Sequence, residues 1–226
     1  MNFLILGRGK TGSLVAKYAS NRHHHVHVLG ADQNRDSKAL TSELLQSVDA
    51  VVDFTSPAVV MANIQACLRE KKNMVVGTTG WYEHLGSVRS AVAQAGTGFL
   101  YGANFSIGVN LFFETVRTAA QAARHAYTGQ IFERHHQHKK DAPSGTALVL
   151  QKIIQEHSGA ELEITSFREG DVVGLHEVIF DSPNDRIYLC HDAKSRHGFA
   201  EGAVLGAEWL SGKRGFFEFK DIWREL

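Results

Sequence analysis

The chain has 226 residues, enough to bury a full core and to form one large or two small domains. Hydrophobic residues make up 43% and charged residues 21%, and 24 basic side chains balance 24 acidic ones, so nothing in the charge argues for a nucleic-acid or membrane partner. Two cysteines without metal or redox spacing, an opening apolar run confined to residues 3–6 and no segment of membrane-spanning length together predict a cytoplasmic protein with free thiols.

Phe3-Leu4-Ile5-Leu6 reads as a buried parallel strand. Gly7-Arg8-Gly9-Lys10-Thr11-Gly12 follows at once, and residues 13–18 read as a helix. A G-x-G-x-x-G is weak alone, and a strand before it and a helix after it are the context that raises it. Its glycines permit a tight turn and a close backbone approach to a pyrophosphate seated on the helix N-terminus. Residues 25–29 form a second strand. Asp32, 20 residues beyond Gly12, stands where an acidic side chain accepts hydrogen bonds from an adenosine ribose; the plainer alternative is a loop carboxylate. Arg35 nearby suits a 2′-phosphate, so NADH and NADPH are both open. The run His23-His24-His25 with His27 reads as a solvated loop and strand edge without function.

Residues 50–54 form a third strand, with Thr55-Ser56-Pro57 opening the next helix. Residues 73–76 form a fourth, ending in Gly77-Thr78-Thr79-Gly80, and residues 99–103 a fifth, followed by Asn104-Phe105-Ser106-Ile107-Gly108-Val109-Asn110. Ligands of open α/β sheets bind at such strand ends. Ordinary loop chemistry explains each Gly/Thr turn singly, and three in succession less easily.

The strand–helix alternation then stops. Residues 109–126 read as a long helix, 129–136 as a strand, and 145 to about 157 as a helix with Ser144 or Asp141 as its N-cap. Three strands follow at 162–167, 172–180 (interrupted by His176 and Glu177) and 186–190. A last helix over 200–210 returns the chain to the first domain, with Gly215-Phe216-Phe217 near the end. The expected fold is α/β: a Rossmann-type doubly wound parallel sheet over residues 1–105 and 200–226, with a second α+β domain at 106–199 built on an open antiparallel-type sheet.

The stretch from Glu133 to Thr146 carries the chemistry. Three histidines and two lysines occupy residues 135–140, after which Asp141-Ala142-Pro143-Ser144-Gly145-Thr146 opens a helix. A helix N-terminus with cations beside it suits a small carboxylate ligand that must also receive a proton. A metal held by His136 and His138, alternating on one strand face with Glu133 near, and a merely solvated basic loop are the competing readings; a convincing metal site asks for three or four fitting ligands.

The pattern Glu-x-His-His-x-x-Lys-x-Asp-Ala-Pro-Ser-Gly-Thr resembles that of the dihydrodipicolinate reductases, now called 4-hydroxy-tetrahydrodipicolinate reductases, of lysine and diaminopimelate biosynthesis. So do Ala103 to Asn110, Gly170-Asp171-Val172-Val173-Gly174-Leu175-His176-Glu177 and His191-Asp192-Ala193-Lys194-Ser195-Arg196. The resemblance implies hydride transfer from NADH or NADPH to a cyclic dicarboxylate imine-type substrate. It casts His135 as general acid or base and Lys139 as proton donor or polarising cation, a lysine among cations having a lowered pKa. His136, Lys139, Ser144, Gly145, Thr146 and Arg196 fall at the substrate, with a domain-joining ion pair as the other reading of Arg196. The resemblance places Gly77, Thr78 and Thr79 against the cofactor, with Gly102, Ala103, Asn104 and Phe105 lining its cleft at the joint between domains, and domain closure excluding water. No metal is implied. The second domain would also serve oligomerisation, as a homotetramer in the family; here the long Arg/Gly-rich loop usual between the equivalents of Phe167 and Gly170 is almost gone, which leaves the assembly open. The Gly-rich cofactor turn is also one residue shorter than in many members. A nicotinamide-dependent amino-acid dehydrogenase shares the first half's architecture without explaining the Asp-Ala-Pro-Ser-Gly-Thr turn, and a non-catalytic dinucleotide-binding sensor would not need His135 and Lys139.

Overall fold

Phe3 to Leu6 are fully buried, as a central parallel strand flanked on both faces requires; β1 spans Asn2–Leu6 in this computed structural model, which describes residues 1–159 and 161–226. Helix α1 (Lys10–Asn21) starts inside the glycine motif, earlier than the expected residue 13, because Gly9 takes the extended backbone of an N-cap. Then come β2 (His25–Leu29), α2 (Ser42–Gln46, capped by Thr41), β3 (Ala50–Asp53), α3 (Pro57–Arg69, with Pro57 at its first turn), β4 (Asn73–Val76), α4 (Leu85–Ala95) and β5 (Gly98–Tyr101).

By its contacts the chain divides into two units, Met1–Ile107 with His197–Leu226, and Gly108–Arg196. At the start of the second lies α5 (Ile107–Ala119), shorter than the expected helix because residues 120–125 tighten into a 3-10 turn that ends at Ala126 with a left-handed φ of 63°. Strand β6 (Thr128–His135), α6 (Gly145–Ser158), β7 (Ile164–Arg168), β8 (Leu175–Asp181) and β9 (Arg186–Asp192) complete the unit. Its sheet runs β7-β6-β8-β9 and is mixed, where an antiparallel-type sheet was expected: β7 pairs parallel to β6, the other pairs antiparallel. The 14-residue α6 supplies the crossover that returns the chain in the same direction. Strand β6 ends at His135, so His136 and His138 do not alternate on a strand face but lie in the loop beyond it, rings 6.3 Å apart. One sheet face packs Ile131, Val178 and Phe180 against Phe112, Val116, Leu150 and Ile154 of the two helices. The opposite face carries Phe132, Phe167, Ile179 and Tyr188, with Arg134 stacked over Phe167.

The short connection from β7 to β8 passes over the end of β6. The Glu169 amide donates to the His135 carbonyl (2.9 Å), and the Gln137 amide donates to the Gly170 carbonyl (3.2 Å).

Helix α7 (His197–Trp209) leads back to β10 (Gly215–Glu218) and the one-turn α8 (Phe219–Ile222). The Gly-Phe-Phe segment is therefore a sixth strand, paired parallel with β5 in a sheet of order β10-β5-β4-β3-β1-β2, all parallel. Two apolar layers cover it, one with Leu45, Val60, Ile64 and Trp81, the other with Val15, Ala203, Val204 and Phe219. The histidine run is not wholly solvated: His24 Nε2 lies 2.6 Å from Glu208, which Arg22 also grips, so the end of α1 is tied to α7. Among the described residues no helix is long and apolar enough to cross a membrane.

Candidate active site

In the first unit, a cavity of about 320 Å³ opens at the carboxyl ends of β1, β3 and β4, where strand order reverses about β1. Gly9, Lys10 and Thr11 line it from the first turn, Phe54, Thr55 and Pro57 from the second, and Gly77, Thr78 and Thr79 from the third. The glycines divide their roles. Gly7 has φ +105°, and a Cβ there would meet the Phe54 carbonyl oxygen at 2.3 Å. At Gly12 a Cβ would meet the Gly7 carbonyl oxygen at 2.1 Å, so α1 can approach β1 only without one. Gly9 has no atom within 4 Å of that position, which leaves the backbone at the start of α1 open to a ligand. These features fit a pyrophosphate on the amides of the first turn.

The cavity's base is polar and buried. Asp53 accepts from the Thr55 amide (2.9 Å), the Thr55 hydroxyl (2.7 Å), the Thr78 hydroxyl (2.7 Å) and Asn63 Nδ2 (2.8 Å). Burial pushes the Asp53 carboxyl above the usual carboxylate range, against the pull of those donors. Asn63 Oδ1 in turn accepts from Asn34 Nδ2 and the Ser37 hydroxyl, which carries the network to the loop after β2. Asp32 is exposed on that loop; its Oδ1 and the Arg8 side chain both crowd Gly30, so the two flank one point. Arg35 is exposed too. Gly102 and Phe105 are not part of the cavity. The Phe105 ring packs 4.7 Å from Phe219, a Cβ on Gly102 would touch Phe219 at 2.9 Å, and Asn104 Oδ1 accepts from the Ser106 amide, while Ala103 is exposed.

In the second unit, Glu133 and His135 are two apart on β6 and share its inward face, 0% and 7% exposed. Glu133 Oε1 accepts from Arg168 Nη2 (2.7 Å) and the Ser144 amide (3.2 Å). Its Oε2 lies 2.8 Å from His135 Nδ1, off the line of a good hydrogen bond. Burial works to raise the Glu133 carboxyl, but the donors at Ser144 and Arg168, with the Ser166 hydroxyl nearby, outweigh it and hold the pKa down at about 2. His135 is shifted down, first by burial, with Glu133 opposing and Lys139 and Arg168 adding to the fall. His176, 4% exposed on β8, packs its ring edge-on 5.1 Å from that of His135, and burial followed by His135 pushes its pKa down to about 3.

Ser144 caps α6, its hydroxyl accepting from the Ala147 amide (3.3 Å) and lying 3.2 Å from His176 Nε2. It is 2% exposed and faces inward, so its hydroxyl is committed to the protein. Gly145 is exposed and Thr146 half-buried at the same helix start, where the first amides have no partner within the helix. Lys139 Nζ lies 2.8 Å from both carboxylate oxygens of Asp141, so an anion and not only cations surrounds it. Arg196 Nη2 lies 3.4 Å from His136 Nε2, both half-buried.

Glu133, His135 and His176 are grouped closely enough to hold a metal ion. The Arg168 guanidinium already on Glu133 opposes a second cation, and 2.8 Å between Oε2 and Nδ1 is shorter than the roughly 3.3 Å between ligands about 2.0 Å from a tetrahedral zinc. A hydrogen-bonded carboxylate–histidine pair fits better. Three contributors escaped the sequence reading in this role: Glu133, Arg168 and His176. The two-residue alternation of Glu133 and His135, and a lone histidine breaking the apolar pattern of β8, were the available signals.

Comparison with known proteins bears on both units. The patterns described as the N-terminus and the C-terminus of dihydrodipicolinate reductase match residues 1–105 and 108–223. The chain is 35% identical over 240 residues to the 4-hydroxy-tetrahydrodipicolinate reductase of Christiangramia forsetii, covering 100% of this chain and 99% of that protein. It is 38% identical over 200 residues to the enzyme of that name from Laribacter hongkongensis, covering 79% and 74%. A dipicolinate-bound dihydrodipicolinate reductase from Paenisporosarcina sp. TG-14 has the same fold, with a TM-score of 0.80 at 22% identity over 98% of this chain and 99% of that one.

Proposed function

We infer that this chain, which belongs to the dihydrodipicolinate reductase family, is an NAD(P)H-dependent oxidoreductase that reduces 4-hydroxy-tetrahydrodipicolinate to tetrahydrodipicolinate in lysine and diaminopimelate biosynthesis. One observation carries the chemistry: β6 delivers a buried histidine beside the amide end of α6, with Lys139, His136 and Arg196 in the same unit. A proton donor next to an anion site is what reduction of a dicarboxylate imine asks of a protein.

A nicotinamide cofactor supplies the hydride when bound. The first-turn amides of α1 beside Gly9 hold its pyrophosphate, and the Asp53 network keeps Thr55 and Thr78 in place at the cavity. Gly145 and Thr146 hold one substrate carboxylate through their amides and the Thr146 hydroxyl, and His136, Lys139 and Arg196 attract the other. His135 acts as general acid, with Lys139 as a second proton donor or polarising cation. Asp32 and Arg8 together meet the adenosine end, and either nucleotide fits that pair of charges. The face of the second sheet that carries Phe132, Phe167, Ile179 and Tyr188 suits a second copy of the chain, which supports a homo-oligomer. The biosynthetic role and the free thiols Cys67 and Cys190 support a cytoplasmic location.

The test is oxidation of NADH and of NADPH by the purified protein with freshly generated 4-hydroxy-tetrahydrodipicolinate. Rapid oxidation establishes the reductase and ranks the two nucleotides. Nucleotide binding with no oxidation would move the assignment to a dinucleotide-binding module.

A further inference from the structure

We propose that Glu133 is a positioning residue that sets the tautomer of His135, holding its proton on Nδ1 so that Nε2 is the nitrogen that exchanges a proton with substrate. The proposal rests on the reductase reading for the substrate, and on geometry for the rest. The carboxylate is held from three elements. Strand β6 carries it, Arg168 on β7 and the Ser144 amide at the head of α6 both donate to Oε1, and Oε2 is left facing His135 Nδ1 at 2.8 Å. A contact that is bent without substrate commonly straightens in the complex.

The other ring nitrogen is kept uncovered. A Cβ on Gly174, in the connection that leads into β8, would lie 3.0 Å from His135 Nε2, so any side chain there would sit on that atom. The charged and titratable groups around the ring are Glu133 on β6, Arg168 on β7, His176 on β8 and Lys139 in the loop beyond β6. Glu133 is the only anion of the four. When the imidazolium donates, the proton leaves Nε2 for the substrate, and the neutral ring retains the proton on Nδ1 against Oε2. His176 does not compete for it, since burial keeps that ring neutral and its Nε2 meets the Ser144 hydroxyl.

The replacement Glu133→Gln has a defined consequence. Arg168 and the Ser144 amide are both donors, so the new side chain turns its oxygen to them and its NH₂ toward His135 Nδ1. Nδ1 must then accept, and the proton moves to Nε2, the wrong tautomer. We expect kcat to fall roughly 10²–10⁴-fold with KM little changed, by analogy with the loss when a catalytic histidine's carboxylate partner becomes an amide. The alkaline limb of the kcat/KM profile moves to lower pH, because a negative charge beside the ring is gone. A purely structural role would lower the melting temperature without moving that limb.

Long-range ¹H–¹⁵N spectra of wild-type histidine rings, with His135 assigned by comparison with His135→Asn, test the tautomer without any turnover. Neutral His135 protonated on Nδ1 supports the proposal. Protonation on Nε2 overturns it whether or not the enzyme reduces the substrate, and so does an active Glu133→Gln with wild-type kcat and an unmoved alkaline limb. A wild type that never oxidises NAD(P)H would instead overturn the reductase reading and leave the spectroscopic answer standing.

Discussion

Arg168 Nη2 lies 2.7 Å from Glu133 Oε1 and 2.5 Å from the Asp141 carbonyl, so one guanidinium joins β7, β6 and the loop that carries Lys139. Arg168→Met leaves a fully buried carboxylate without its cation. We expect a loss of about 3–5 kcal/mol of stability, read from urea unfolding, since breaking one side of a buried pair costs that much. Arg168→Lys should recover only part of it, because one ammonium does not reproduce the planar fork. A variant as stable as the parent would mean that water replaces the guanidinium.

Acid should weaken the fold in two stages. A histidine at 6.5 when unfolded and about 3 when folded takes up protons first in the unfolded chain, so His176 removes stability as pH falls below 6.5, up to roughly 5 kcal/mol by pH 3. Glu133, at 4.5 unfolded and about 2 folded, contributes above 4.5 and loses up to roughly 3 kcal/mol on the way to pH 2. His176→Asn should make the upper stage shallower, leaving the smaller share of His135 and His191, and spare the lower. Unfolding midpoints from pH 8 to pH 3 test this, and an unchanged curve in the variant would count against a neutral buried His176.

The glycine turn separates folding from binding. Gly12→Ala sets a methyl 2.1 Å from a carbonyl oxygen and should unfold or displace α1. Gly9→Ala meets no atom within 4 Å, so its melting temperature should stay with the parent while nucleotide affinity falls about tenfold, or 1.4 kcal/mol. Calorimetric titration with NADPH and NADH decides; unchanged affinity for both would place the pyrophosphate elsewhere.

Asp53→Ala strands the donors of Thr55, Thr78 and Asn63 beneath the cavity. Each buried donor left unmade costs about 1–3 kcal/mol, and water can replace some of the bonds. We expect a loss of several kcal/mol accompanied by weaker nucleotide binding, measured by thermal melts with and without NADPH. A destabilised variant that keeps parental affinity would make the network structural only.

Lys139→Ala should depress kcat about 10²–10⁴-fold while leaving nucleotide affinity alone. Equal losses in turnover and in nucleotide affinity would show Lys139 to be misassigned.

Much of this protein could be read from local signals. Strand β1, the glycine turn and α1 follow from a buried apolar run, positive-φ tolerance and a helix start within a dozen residues, and the cap at Ser144 from the turn that precedes α6. The tail strand β10 was missed because four residues carry too little periodicity, and its strand character comes from pairing with β5, more than a hundred residues earlier.

What the sequence determined by itself was therefore the family and the residue types gathered at two candidate sites, because these reside in residue types and short spacings. Only the tertiary structure decided which of them face one another. Arg168 reaches Glu133 across 35 positions and His176 reaches Ser144 across 32, through a sheet whose mixed pairing was not legible in the strand pattern. The orientation of His135 and the commitment of Ser144 depend on those long-range pairings, since a side chain's partner is set by which strand lies beside it and not by its neighbours in the chain.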